Sequence, residues 1–139
     1  MALEMKKLHI KGVEIPIIYE KNTQLPLFYI QLVFKGAGGV SNGKSLGLSD
    51  IVSSLLNEGT KELGVTKFSK KLEEKALALS VGSGLETLSF TLSGMTAMQE
   101  DGIALLKELL QSPNFTQKAL DKVKENSLVA ILERESDYD

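Results

Sequence analysis

The sequence predicts an α+β domain with two layers, in which helices pack on one face of a mostly antiparallel sheet. Its 139 residues, 42% hydrophobic and 24% charged, suit one globular domain that can bury a core. The hydrophobic period changes from two to about 3.6 and back, which predicts the order β-β-α-α-β-β-α-α. Because strands adjacent in sequence tend to pair, this order favours antiparallel pairing with the helices on one side. We therefore describe residues 1–139 as a single domain.

The N-terminal part of the chain predicts two consecutive strands. The segments VEIPIIY (13–19) and PLFYIQLVF (26–34) are rich in β-branched and aromatic residues, and the turn-like EKNTQ lies between them. A loop rich in Gly, Ser and Asn follows at 36–45 and ends the strand pattern.

Two helices are predicted next. The first begins at Leu48, because apolar residues then recur at helical spacing, and Gly59 fits its C-terminal stop. Thr66 is predicted to cap the second, which runs through FSKKLEEKALA (68–78). The apolar stripe of the first helix consists of Leu48, Ile51, Val52, Leu55 and Leu56.

The second half of the chain repeats this change of period. ALALSVGSG (76–84) and ETLSFTLSG (86–94) alternate with period two and predict a pair of half-buried strands. In the second strand Leu88, Phe90 and Leu92 point one way, and Thr87, Ser89, Thr91 and Ser93 point the other. A helix is predicted over 98–112, halted before Pro113, and Thr116 is predicted to cap a last helix.

Composition and charge exclude several classes of function. The net charge of −2 comes from 16 basic and 18 acidic residues that are mixed along the chain, so no basic stripe favours nucleic acid as a partner. Without Cys the chain has neither disulfides nor thiolate metal ligands. We expect no membrane span, because no apolar run is long enough. The absence of a signal sequence favours the cytoplasm, and a removed signal would be compatible with the periplasm.

The segment GGVSNGKS (38–45) matches the nucleotide-binding pattern G-x-x-x-x-G-K-[ST] through Gly38, Gly43, Lys44 and Ser45. Such a loop binds phosphate with backbone amides at a helix start, and a carboxylate near it holds Mg²⁺. Here the helical period starts only at Leu48, neither later strand ends in Asp, and the element order does not alternate β-α-β-α. The sequence favours a solvated connector, and a P-loop nucleotide-binding module is the second alternative function.

The polar face of the first helix carries the main functional clue. Opposite its apolar stripe lie Asp50, Ser53, Ser54 and Asn57. The segment GLSDIVSSLLNEGT (47–60) resembles one that reads approximately G-L-A-H-F-L-E-H-M-L-F-K-G-T in the insulinase/pitrilysin/processing-peptidase superfamily, the inverted zincins with H-x-x-E-H. LVFKGAGG, TLSFTLSG and LLKELLQSPNFTQKALDKVKE resemble further family segments in the same order. The family's half-unit is longer than 139 residues, so the resemblance implies an incomplete N-terminal half-unit.

The resemblance also implies that the zinc site is missing. The family's first His, its Glu base and its second His fall on Asp50, Ser53 and Ser54. Ser is a poor zinc ligand, and Ser53 cannot accept a proton near neutral pH. The last ligand, a Glu of the final helix, falls on Leu132, with Glu133 one residue away and turned by about 100 degrees. We expect no metal and no catalytic residue in this chain.

Two other sets of residues were candidates for chemistry. Asp50 with Glu133 or Glu135 could bind a cation if the helices meet, so an active zinc-dependent processing peptidase with relocated ligands is the first alternative function, although such carboxylates are ordinarily solvated. His9 is the only His and lies far in sequence from the Ser-rich helix. A Ser-His-Asp site built on Ser53 or Ser54 lacks a nucleophile elbow.

The resemblance implies a non-catalytic subunit or half that forms a peptide-binding chamber with a homologous zinc-bearing subunit or second half. This pseudoenzyme would contribute the wall, contacts to an unfolded peptide and stability, while its partner cuts. We therefore expect zinc in the partner and no cofactor in this chain. An extended peptide can add a strand to a sheet edge through main-chain hydrogen bonds, and this mode of binding needs no metal.

Overall fold

The structure, a computed structural model, describes residues 3–136, and this part of the chain forms five strands and four helices. The fold class and the predicted order of elements are confirmed, and the structure adds one strand, β1, ahead of the predicted ones. The elements are β1 (Glu4–Ile10), β2 (Val13–Tyr19), β3 (Leu27–Lys35), α1 (Leu48–Leu56), α2 (Gly64–Glu74), β4 (Ala78–Ser83), β5 (Thr87–Met95), α3 (Gln99–Gln111) and α4 (Gln117–Ser136).

Three of the strands form one antiparallel sheet in the order β3-β5-β4. Phe90 of the central strand β5 pairs with Leu32 of β3 on one side and with Val81 of β4 on the other. Strand β4 is therefore an edge strand, and the helices α1 and α2 both contact it.

The strands β1 and β2 form a separate antiparallel hairpin, with Leu8 opposite Ile15. Two consecutive strands at 13–19 and 26–34 were expected, but β2 pairs with β1, whereas β3 pairs with β5. The physical reason is the turn at Lys11 and Gly12, where φ is 48° and 81°. Two successive positive φ angles give the tight hairpin turn that matches the twist of paired strands.

The core lies between the three-stranded sheet and the helices. Phe90 and Leu92 are 3% and 0% exposed, as their predicted inward direction requires. Gly102 of α3 lies against Leu92, where an added Cβ would come within 3.3 Å of its methyl groups, so the glycine allows α3 to approach the sheet closely. The buried residues of this cluster are Leu56, Phe68, Leu72, Leu77, Val81, Phe90, Leu92, Leu105, Leu106 and Leu109.

A second, smaller cluster joins α1 to α4 through Leu55, Ala119 and Val123. The predicted helix α1 therefore buries its stripe on two sides, against the sheet through Leu56 and against α4 through Leu55. Leu48, at the start of the predicted stripe, remains 50% exposed.

The helix boundaries agree with the sequence prediction at some ends and differ at others. Thr116 caps α4 as predicted, because its Oγ1 accepts a hydrogen bond from the Ala119 N–H at 3.3 Å. The predicted cap Thr66 is wrong, since α2 begins at Gly64 and includes Thr66. None of the helices within residues 3–136 has the length and hydropathy that a bilayer crossing requires.

Candidate functional site

The glycine-rich segment 38–45 packs on the turn between β4 and β5. The amides of Gly36, Gly39 and Val40 donate to carbonyls of that turn at 2.8–3.0 Å. A Cβ on Gly38 would lie 2.5 Å from the Gly84 carbonyl oxygen, so this glycine is explained by a close approach of two backbones. These amides are therefore engaged within the chain by the carbonyl oxygens of that turn.

The start of α1 is held by an Asn side chain. Ser49 donates its backbone N–H to Asn42 Oδ1 at 3.2 Å, and Asn42 Nδ2 donates to Ser49 Oγ at 3.1 Å. Lys44 and Ser45 lie in the exposed connector before this helix start. The P-loop alternative therefore gains no support from the geometry, and the segment serves to join β3 to α1 and to brace the β4–β5 turn.

Asp50, the first zinc-motif position, lies beside the free edge of β4. It is exposed, and one oxygen of its carboxylate accepts a hydrogen bond from the Ser83 hydroxyl. Its pairing with a neutral hydroxyl makes it part of a contact between α1 and β4. Asp50 and Ser83 belong to what we call the α1–β4 interface, formed by Asp50, Asn57, Val81 and Ser83.

Asn57 forms the other end of the α1–β4 interface, seven residues beyond Asp50. Its Nδ2 donates to the Val81 carbonyl oxygen at 2.7 Å, and the Val81 N–H donates to its Oδ1 at 3.0 Å. Nδ2 also donates to the Ser53 carbonyl oxygen at 2.9 Å. Both main-chain groups of Val81 are thus bonded to one side chain.

Ser53, the position of the family's Glu base, is only 7% exposed. Its hydroxyl donates to the backbone oxygen of Asp50, one turn earlier, at 2.9 Å. A hydroxyl bonded back to its own helix is satisfied locally and is not presented to a substrate.

Ser54, the position of the second His, lies on the other side of α1, where it lines a groove against α4. Glu58 lies in the same groove, and its carboxylate forms an ion pair with Lys122 Nζ at 2.8 Å. The groove has a volume of about 280 Å³ and is lined by Ser54, Glu58, Val123, Asn126, Ser127 and Ala130.

Leu132, the position of the family's last ligand, lies on α4. Leu132 is 56% exposed and is not among the groove residues, which end at Ala130. Within residues 3–136, no group of three His, Asp or Glu side chains is arranged to hold a metal ion, and the Glu135 side chain lies outside the described part. The hydroxyl donors of Ser53 and Ser54, together with Asp50 bonded to Ser83, do not fit zinc.

His9 lies on the β1–β2 hairpin, where its Nε2 is 3.3 Å from a Glu14 carboxylate oxygen. It is 68% exposed and belongs to a sheet separate from the one that contacts α1. The structure therefore does not bring His9 together with Ser53 or Ser54.

Comparison with known proteins finds a sequence relative and similar folds. The chain is 47% identical over 130 residues to the non-peptidase homolog YmxG of Helicobacter pylori, a match that covers 94% of this chain and 30% of that protein. Its fold is similar to that of a peptidase M16 inactive domain from Pseudomonas fluorescens, with a TM-score of 0.83 and 20% identity over 96% of this chain and 32% of the other. The chain is thus related in sequence to a non-peptidase homolog and shares the fold of an M16 inactive domain.

The similarity in fold extends to a second protein. A protease from Helicobacter pylori has the same fold at a TM-score of 0.72 and 15% identity, over 89% of this chain and 30% of that one. No protein-family model matches the sequence. The sequence relative is described as a non-peptidase homolog and the structural neighbour as an inactive M16 domain, and the prediction of a pseudoenzyme agrees with both descriptions. The chain spans about a third of the length of the proteins it matches.

The sequence identified the row on α1 but not its contacts. Asn57 was placed on the polar face of the helix, yet its partner Val81 lies 24 residues away in a strand. The sequence placed Asn42 in a loop and Ser83 in a strand, but it did not indicate that they bond to α1. Contacts between residues far apart in the chain leave no periodic pattern in a single sequence.

Proposed function

We propose that this chain is a non-catalytic M16-like half that lines a peptide-binding chamber together with a zinc-bearing homologous subunit or second half. The observation that carries the proposal is the α1–β4 interface. There, at the family's zinc-helix positions, side chains join the helix to the sheet, and Asp50, Ser53 and Ser54 offer no ligand set. These contacts support a half that has the scaffold next to a zinc site without the residues that would cut a peptide.

A role in holding peptide is supported by the sheet surface that the helices leave uncovered. On this face β5 presents Thr87, Ser89, Thr91 and Ser93, which are half-buried. Small hydroxyl side chains can donate to and accept from the main chain of many different peptides. Such a wall would give contacts without strong sequence selection, which suits an unfolded substrate.

The decisive experiment combines this chain with a zinc-bearing M16 homologue from the same organism. We expect native mass spectrometry to detect a complex of the two, and the complex to cleave an unfolded fluorogenic peptide at least about tenfold faster than either component alone, because the chamber closes only in the pair. Replacing the partner's Glu base by Gln is the control, and it should abolish cleavage without dissociating the complex. Cleavage by this chain alone, or failure to form a complex at micromolar concentration, would refute the proposal.

Zinc loading tests the first alternative, an active peptidase with relocated ligands. We expect the chain to retain less than about 0.1 equivalent of zinc after loading and dialysis, because hydroxyls and one carboxylate are weak ligands for this ion. Elemental analysis measures the content. Stoichiometric zinc that disappears in Asp50→Ala, but not in the exposed α4 variant Asp121→Ala, would favour the alternative and contradict the prediction.

A further inference from the structure

Strand β4 has a free edge, and the contacts of Asn57 lie on it. In an antiparallel ladder the main-chain groups of successive residues point alternately to the two sides of the strand. Val81 directs its N–H and its C=O away from β5 to the carboxamide of Asn57. By this alternation Leu79 and Ser83 also direct their N–H and C=O groups to the free edge. Val81 is therefore the middle one of three outward-facing residues.

The carboxamide of Asn57 has the same donor and acceptor as a peptide group. It bonds to Val81 with distances of 2.7 and 3.0 Å, within the range of ordinary ladder hydrogen bonds. An extended peptide added to β4 would need the same two groups of Val81 for its central pair. The side chain and an added strand therefore compete for one position.

The carboxamide of Asn57 makes three hydrogen bonds, two with Val81 and one with Ser53. Its second amide hydrogen is engaged by the Ser53 carbonyl oxygen at 2.9 Å, and its own backbone N–H donates to the carbonyls of Ser53 and Ser54 at the end of α1. The Asp50–Ser83 hydrogen bond holds α1 against the next outward-facing residue of the edge. Displacing the carboxamide would require the loss of all three of its bonds.

We infer that Asn57 is a strand-edge cap, which closes the free edge of β4 to pairing with an extended polypeptide. This goes beyond the proposed chamber and holds for the chain by itself. Its consequence for a chamber is that main-chain pairing with the peptide does not occur on β4 of this half. A peptide in such a chamber would pair its main chain with another strand edge, and this half would contribute side-chain contacts.

Amide hydrogen exchange by NMR tests the cap in the chain alone. We expect Asn57→Ala to raise the exchange rate of the Val81 amide at least about tenfold while the core amide of Leu92 is unchanged, because the local hydrogen bond is lost and the fold is kept. Asn126→Ala, an equal truncation at an exposed position on α4, is the control and should leave Val81 unchanged. Equal Val81 exchange in the wild type and in Asn57→Ala would overturn the inference.

A synthetic peptide with the β5 sequence, Thr87–Met95, is the probe for strand addition, since β5 is a natural partner of β4. We expect it to shift the amide signals of Leu79, Val81 and Ser83 in Asn57→Ala and not in the wild type. The same shifts in the wild type would overturn the inference. Shifts in neither protein would also overturn it, because some other part of α1 would then close the edge. Asn57→Leu, which keeps the size but loses both the donor and the acceptor, provides the same test if the alanine variant does not fold.

Discussion

Leu92→Ala is expected to lower the free energy of unfolding by about 3–4 kcal/mol, because a fully buried Leu loses its transfer energy and leaves a cavity. Leu92 lies at the centre of the sheet with no exposed surface, and α3 packs on it at Gly102. Its neighbour across the ladder is Leu79 of β4, so the cavity would also loosen the strand on which α1 rests. Urea unfolding followed by circular dichroism measures the loss.

Leu85→Ala is the matched control for this change. Leu85 lies in the turn between β4 and β5 and is 79% exposed, so its truncation should alter stability by no more than about 0.5 kcal/mol. Leu92→Met conserves the volume and should cost less than about 1.5 kcal/mol, which keeps the comparison measurable if the alanine variant is unfolded. Equal losses for Leu92→Ala and Leu85→Ala would show that the core is not organised around β5.

The period of the hydrophobic residues determined most of the architecture. The alternation in ETLSFTLSG predicted the buried Phe90 and Leu92, and the helical stripe after Gly47 predicted Leu55 and Leu56 in two contacts. β1 was missed because EMKKLHI interleaves charged residues and is exposed along its whole length. The strand is recognisable only with the Lys11–Gly12 turn that pairs it with β2.

The sequence predicted which residues of α1 form the candidate site, but it did not predict their hydrogen-bond partners. Spacing placed Asp50 and Asn57 on one side of α1, seven residues apart, and the structure brings both to β4. Ser53 lies in the same row but is buried, because α1 packs on two sides and only part of its polar face remains in solvent. Which polar residues become buried depends on the partners of a helix, and these come from distant parts of the chain.

The resemblance to the family's zinc helix includes two residues whose structural role the geometry explains. Gly59 and Thr60 match the Gly-Thr that ends the family segment. Gly59 has a φ of 77°, and Thr60 is 1% exposed, where its hydroxyl donates to Glu108 Oε1 at 3.2 Å and accepts from the Leu63 N–H at 3.3 Å. The pair thus reverses the chain after α1 and fixes it to α3. These two positions serve the fold, whereas the zinc-motif positions before them offer no set of zinc ligands.

Gly59→Ala is accordingly expected to destabilise the chain by about 3 kcal/mol, the sum of a left-handed backbone conformation, about 1–2 kcal/mol, and overpacking, about 1–3 kcal/mol. An added Cβ would lie 2.5 Å from the Gly64 carbonyl oxygen and 2.9 Å from Phe68 Cβ. Gly47→Ala separates the two contributions, since Gly47 also has a left-handed backbone, with φ 78° and ψ 2°, but nothing lies within 4 Å of its added Cβ. Urea unfolding should therefore give a loss for Gly59→Ala that exceeds the loss for Gly47→Ala by at least about 1 kcal/mol. Equal losses would mean that the segment after α1 moves to make room for the added methyl group, and that close packing against α2 is not the reason for glycine at position 59.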